Sequence, residues 1–331
     1  MKVLFIGGTG LISEAVSQRA AEQGLELYLF NRGLRRPFVP QGAQVIVGDI
    51  RAAEAAETLK RYEFDVIVDW ISFTPEHIRN NIQLFQGKTA QYIFISSASA
   101  YQKPPSHYLI TESTPLHNPY WQYSRDKIAC ENMLMDAYRE EGFPVTIVRP
   151  SFTYGDTMIP AALNSWQHPW SLVDRMRRGE PIVVHGDGTS LWTMTHNTDF
   201  AKGFVGLLGL SQAVGQSFHI TSDEVLDWNQ IYTAIGKAAG VRPNLVHVAS
   251  DVIVSVSPEQ EGNLHGDKAV SGVFDNSKIK RFVPGFCATV PFERGMERTV
   301  RWFEEHPERQ TVDGSWNALM DRIVQAGRAG L

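Results

Sequence analysis

The sequence predicts an α/β fold, a doubly wound parallel sheet followed by a smaller mixed α/β C-terminal region. Three observations predict it. Short, nearly continuous apolar runs alternate with helical stretches up to Pro150, as expected for parallel strands covered on both faces. A glycine-rich turn joins the first apolar run to the first helical stretch in "MKVLFIGGTGLIS". After Pro150 the pattern changes, and Trp, Pro and His crowd into "NSWQHPWSLVDRM" (164–176).

Taken in order, "KVLFIG" (2–7) is an apolar run ending in glycine and reads as the first strand. "ISEAVSQRAAEQG" (12–24) has helical periodicity and a terminal glycine. "LELYLF" (25–30), "AQVIVGD" (43–49), "FDVIVDW" (64–70), "AQYIFISS" (90–97) and "PVTIVRP" (144–150) read as further strands of one sheet. Beyond them, "PIVVHG" (181–186) and "QSFHITS" (216–222) are short strands, "WNQIYTAIGKAAG" (228–240) is a helix, and "SWNALMDRIVQAGRAGL" (315–331) is a terminal helix. The expected division is a nucleotide-binding Rossmann domain over 1–155, rejoined by segments near 180–220, and a mainly substrate-binding region over 156–331.

Bulk properties narrow the function classes. The chain has 331 residues and is 43% hydrophobic, enough for a sizeable core. Its 31 basic and 36 acidic side chains give a net charge of −5, which argues against a nucleic-acid partner. Two cysteines, Cys130 and Cys287, are too few and too scattered for a disulfide framework or a zinc site. The N-terminus lacks the apolar stretch and cleavage site of a signal peptide, and no apolar run is long enough to span a bilayer. The expectation is a cytoplasmic protein without a metal and without a membrane partner.

The glycine turn carries the first chemical signal. Gly7 and Gly10 fit a Gly-x-x-Gly turn that lets the backbone approach a pyrophosphate. Thr9, Leu11 and Ile12 then lie at the helix N-terminus, whose free N–H groups and positive dipole end suit phosphates. The third position of the pattern is Ser13 rather than glycine, a residue small enough for close helix–strand packing. The second strand would end in an acidic residue if the chain gripped the ribose 2′-hydroxyl of NAD. Asn31 stands there instead, followed by Arg32, Arg35 and Arg36. Arginine can pair with a 2′-phosphate, so the cofactor is NAD or NADP, with NADP preferred. Asp49 and Ile50 end the third strand, where an adenine ring could be edged and stacked.

"NPYWQYSRDKIACE" (118–131) places Tyr120 and Tyr123 seven and four residues before Lys127. A bare Tyr-x-x-x-Lys does not say whether either tyrosine is catalytic. The residues around it do bear on the question. "GGTGLIS", "VGDI", "FISSASAY", "TEST…NPYWQYSRDKIACE", "VRPSFTYG", "VHGDG" and "HNTDFAKG" occur in this order. Together they resemble the extended short-chain dehydrogenase/reductase superfamily, the NAD(P)-dependent sugar epimerases and dehydratases. The resemblance implies that Tyr123 is the acid/base and that Lys127 tunes it and holds the nicotinamide ribose. Ser97, four residues before Tyr101, would orient the substrate oxygen. Spacing is consistent with this, since residues four apart share one helix face. A lysine ammonium and an oxidised nicotinamide would both favour the phenolate. Asn118 and Pro119 make a plausible helix start. A homodimer is also implied by the resemblance.

Two departures narrow the substrate. The sugar 4,6-dehydratases carry an Asp-Glu pair where this chain has Ala98 and Ser99, so that elimination is not expected. Nucleotide-sugar members place an arginine after "GDG" near Trp192 of this chain, which puts a diphosphate in doubt. Arg175, Arg177 and Arg178 read as a solvated helix end. Ser99, Trp192 and His196 are candidate substrate contacts, Tyr120 a substrate contact or packing residue, and Trp166, His168 and Trp170 lie where the family's substrate loop would be. The reading is an NAD(P)-dependent oxidoreductase or epimerase acting on a secondary alcohol of a sugar or nucleotide-sugar-like substrate. The alternative is a non-catalytic RNA-binding protein that keeps the fold, since the C-terminal part is similar to an atypical branch that includes chloroplast stem-loop RNA-binding proteins. The acidic charge and the Ser97/Tyr123/Lys127 set speak against it.

Overall fold

The computed structural model describes residues 1–329. The main sheet has seven strands, all paired in parallel. They include β1 (Lys2–Ile6), β2 (Glu26–Asn31), β3 (Gln44–Val47), β4 (Val66–Asp69) and β5 (Gln91–Ile95). From one edge the order is Ser217–Phe218, Val145–Val148, β5, β4, β1, β2, β3. The order reverses between β1 and β4, and a crevice opens at the carboxyl ends of strands at such a switch point.

Alternation along β1 shows how the sheet is covered. Val3 and Phe5 face a core shared with Phe200 and Phe204, while Leu4 and Ile6 face one shared with Ile78, Cys130 and Leu134. The first face is covered by α1 (Leu11–Glu22) and by a later helix, Asn197–Val205. The second is covered by α2 (Glu54–Leu59), α3 (Pro75–Phe85) and α4 (Gln122–Glu141). Two-sided burial is why these strands read as unbroken apolar runs.

Two segments between 180 and 220 follow different paths. Asn197–Val205 and Ser217–Phe218 join the main sheet and its helical layer. Pro181–His185 instead pairs in parallel with Asn244–Val248. That pair belongs to the C-terminal region, whose own core gathers Trp170, Trp192, Trp228, Phe303 and Trp316. The terminal helix runs Gly314–Ala329, and the last two residues of its predicted span lie outside the described residues. Among the described residues no helix is long and apolar enough to cross a membrane.

Arg175 corrects an expectation. It is buried, donating to the Pro181 carbonyl at 2.8 Å and to Asp321 at 2.5 Å. It ties its helix to the terminal one, while Arg177 and Arg178 pair with Glu304 and Asp174 nearer the surface.

Candidate active site

Positive φ falls on Gly7 (+104°) and Gly8 (+89°), so within the predicted Gly7–Gly10 turn it is Gly8, not Gly10, that joins Gly7 in needing glycine's backbone freedom. A Cβ on Gly8 would lie 2.7 Å from the Leu29 side chain. Gly10 has ordinary extended backbone and caps α1, and its N–H donates to the Ser13 hydroxyl at 2.8 Å. Ser13 therefore caps the helix as well as packing closely. Asn31 locks the turn from β2, donating to the Gly7 carbonyl at 3.1 Å and accepting from the Gly33 N–H at 2.8 Å.

At the other end, Asn118 assembles the lead-in to α4. Its Oδ1 accepts the N–H groups of Tyr120 and Trp121 at 3.2 Å. Its Nδ2 donates to the carbonyls of Ser99 (2.8 Å) and Gly266 (2.7 Å). The helix proper begins at Gln122, later than the Asn118–Pro119 start expected, because Asn118 builds a turn ahead of it. Tyr123 and Lys127 follow one turn apart, with the Lys127 ammonium 5.9 Å from the Tyr123 ring centre. Tyr120 faces His265, edge to face, rather than Tyr123 and Lys127.

Lys127 is only 2% exposed. Its Nζ donates to the carbonyls of Ser72 and Ile95, both at 2.7 Å, and lies 4.7 Å from the Phe73 and Phe94 rings. An ammonium has three donors, so one remains for a ligand. Burial brings its pKa down to about 8. Burial pushes the Tyr123 phenol up, and the Ser97 hydroxyl pulls it back. Burial is the larger influence, so the phenol form is favoured on balance.

Ser97 caps a short turn, accepting the Ser99 N–H at 3.2 Å. Behind it the hydroxyls of Ser97 and Ser99 lie 2.9 Å apart, and Ser124 donates to Ser99 at 2.7 Å. Since Ser99 already accepts from Ser124, its own proton is free to go to Ser97, which leaves the Ser97 proton for the cavity. This buried chain of hydroxyls replaces the substrate contact predicted for Ser99, which does not reach the cavity.

A cleft of about 750 Å³ connects the two ends. Gly7, Thr9, Gly10, Leu11 and Ile12 line it, as do Asn31, Arg32, Asp49 and Ile50, and then Ser97, Tyr123 and Lys127. Arg35 and Arg51 join them, whereas Arg36 does not: it sits in an exposed turn and its predicted contact is lost. Trp192 and His196 also miss the cleft. Trp192 is 2% exposed, packed against Trp228 and Gly272, with no ring face left for a sugar. His196 is buried, held between Asp156 (3.0 Å) and Thr198 (2.8 Å) as a helix cap. Trp166 does line the cleft and is 74% exposed, while Trp170 is in the C-terminal core and His168 binds Thr311.

The residues present fit a dinucleotide. The helix N-terminus meets the glycine turn at one end of the cleft. Trp70, Ser96, Ser151 and Thr153 are among the residues lining the same cleft. Their Nε1 and hydroxyl groups are buried and have no hydrogen-bond partner among the described residues, which is uncommon for buried polar atoms.

Comparison with known proteins agrees with this geometry. The family described as "NAD dependent epimerase/dehydratase family" matches residues 3–220. The chloroplast stem-loop binding protein of 41 kDa b of Arabidopsis thaliana is 26% identical over 262 residues, 74% of this chain and 65% of that protein, so the chain spans less than two thirds of that relative. The 2'-dehydrokanamycin reductase of Streptomyces kanamyceticus is 22% identical over 332 residues, 100% of this chain and 86% of that protein. Among solved structures, the dTDP-glucose 4,6-dehydratase of Bacillus anthracis in complex with NAD superposes with a TM-score of 0.74 at 19% identity, covering 96% of this chain and 99% of that one.

Proposed function

The chain belongs to the NAD dependent epimerase/dehydratase family, and from that premise we propose that it catalyses nicotinamide-dependent oxidoreduction at a secondary alcohol of a sugar-type substrate. The observation that carries the reading is the convergence of Ser97, Tyr123 and Lys127 on a cleft whose far end is a glycine turn at a helix N-terminus. NAD(P) would supply the hydride acceptor or donor, bound along Gly7–Ile12, Arg32, Asp49 and Ile50. Tyr123 takes or gives the proton of the reacting hydroxyl. Burial favours its phenol form, the form that protonates a carbonyl oxygen when the reaction runs as a reduction. Ser97 donates to the same oxygen, and Lys127 holds the nicotinamide ribose. Trp166, exposed at the rim, offers a face for a sugar ring. This half-reaction is common to a reductase and an epimerase. One relative matched along the whole chain is a reductase, which supports net reduction.

NADP is the preferred cofactor in this reading, since Arg32 and Arg35 line the cleft just past β2 and no carboxylate ends that strand. The test is reduced-cofactor consumption with a panel of keto-sugars. Turnover of at least one is expected, and Tyr123→Phe should lower it by roughly 10²–10⁴-fold while still binding cofactor. Full activity in the phenylalanine variant would end the proposal. Salt-sensitive stem-loop RNA binding without any turnover would favour the RNA-binding alternative instead.

A further inference from the structure

Asp69 ends β4 and is wholly buried. A carboxylate removed from water is costly unless its lone pairs are bonded and its charge is answered. Its lone pairs are bonded. Oδ1 accepts the N–H groups of Ile71 and Ser72 at 3.0 Å, and Oδ2 accepts Asn81 Nδ2 at 2.9 Å and the Tyr92 hydroxyl at 2.6 Å. All four donors are neutral, so the charge must be answered elsewhere. Ser72 shows where. Its N–H goes to Asp69, and its carbonyl receives the Lys127 ammonium at 2.7 Å. A buried carboxylate and a buried ammonium thus grip the backbone of one residue. The next residue, Phe73, places its ring 4.7 Å from that ammonium and 6.4 Å from the Tyr123 ring.

We propose that Asp69 is a positioning residue for the Tyr123–Lys127 pair: it fixes the turn whose Ser72 carbonyl holds Lys127, and its charge is the counter-ion of that ammonium. The proposal rests on the role given to Lys127 above. The other titratable groups facing Lys127 are committed or neutral. Glu131, on the same helix, is spent on Arg149, with Oε2 2.6 Å from its guanidinium. The Cys130 thiol is pushed up to about 12 by burial and is uncharged. Tyr92 is pushed up by burial and by Asp69, and Tyr123 by burial. Burial lowers Lys127, and Asp69 is the largest influence opposing that fall.

The test uses the full chain labelled with ε-¹⁵N-lysine. The Lys127 signal is identified by its loss in Lys127→Arg and followed against pH, and NADPH affinity is measured by fluorescence. Asp69→Asn should move the Lys127 transition down by at least about half a pH unit, because an opposite charge is lost. Tyr92→Phe removes a neutral donor only and should leave the transition in place. Asp69→Glu keeps the charge but displaces it from the Ile71 and Ser72 N–H groups. It should leave the transition near its wild-type value and weaken NADPH binding about tenfold, the loss expected when a charge-assisted contact is misplaced. An unmoved transition in Asp69→Asn overturns the proposal, as does wild-type NADPH affinity in Asp69→Glu. If the asparagine variant does not fold, the glutamate variant decides alone. Wild-type NADPH affinity in Lys127→Met would sink the role of Lys127 itself, a result separate from either.

Discussion

Keeping Lys127 charged works against the fold. Burial lowers its pKa from the usual 10.5 to about 8, a difference corresponding to roughly 3 kcal/mol. Below pH 8 the lysine is protonated in both folded and unfolded chains, and the whole penalty is present. Between pH 8 and 10.5 the folded chain binds fewer protons than the unfolded one, so stability rises with pH. Urea unfolding of wild type and Lys127→Met from pH 7 to 11 should therefore show wild type gaining up to roughly 3 kcal/mol on the variant across that window. A pH-independent difference would mean that burial does not lower the lysine's pKa, and that it stays charged in the fold up to its usual value. At this scale the sequence revealed residues whose type and spacing are themselves the signal: Ser97, Tyr123 and Lys127 do meet on one cleft. It misled where burial decides. Trp192 and His196 have side chains able to touch a sugar, yet both face inward. Asp69 went unread because an acid at a strand end looks the same whether it is solvated or gripped by four donors.

The elements follow from apolar runs and their punctuation, and the strands of the sheet were legible for that reason. What no periodicity could reveal is the segment Glu261–Lys268, which lies over the lead-in to α4. It departs from regular α-helix over Leu264–Lys268, a local widening that recurs at functional sites. Gly262 and Gly266 let its backbone approach Trp121 and Asn118 directly; a Cβ on Gly266 would lie 3.1 Å from Asn118 Oδ1, and one on Gly262 would overlap the Trp121 indole. Contacts so distant in sequence leave only two glycines as their trace. Gly262→Ala should cost about 1–3 kcal/mol by overpacking and displace the first turn of α4, which carries Tyr123. The expected result is a lower Tm and turnover reduced tenfold or more, with NADPH affinity within twofold of wild type, because the glycine turn is untouched. Normal turnover would show that this segment does not position the helix.

For the molecule as a whole, the cleft is lined both by the main sheet's elements and by the chain beyond Pro150. The sheet supplies the glycine turn, Ser97 and the Tyr123–Lys127 face, and the chain beyond Pro150 supplies Phe152, Met158 and Trp166. Within the sheet's helical layer, Asn197 donates to the Leu11 carbonyl at 2.8 Å, at the start of α1. A dinucleotide bound in the cleft stabilises the folded chain by mass action. At a hundred times its dissociation constant the gain is about 2.7 kcal/mol. With an unfolding entropy near 2.1 cal/mol/K per residue, that raises Tm by roughly 4 °C for a chain of this length. The two cofactors separate the contributions. Both should raise Tm through the glycine turn and Lys127, which touch what they have in common. At equal concentration NADP should raise it further if Arg32 and Arg35 pair with the 2′-phosphate. In Arg32→Ala/Arg35→Ala the two shifts should coincide at the NAD value, and in wild type the gap between them should narrow at 0.5 M salt, since exposed pairs are screened. Equal shifts in wild type, or a larger one for NAD, would remove the NADP preference and leave the two arginines as solvated surface.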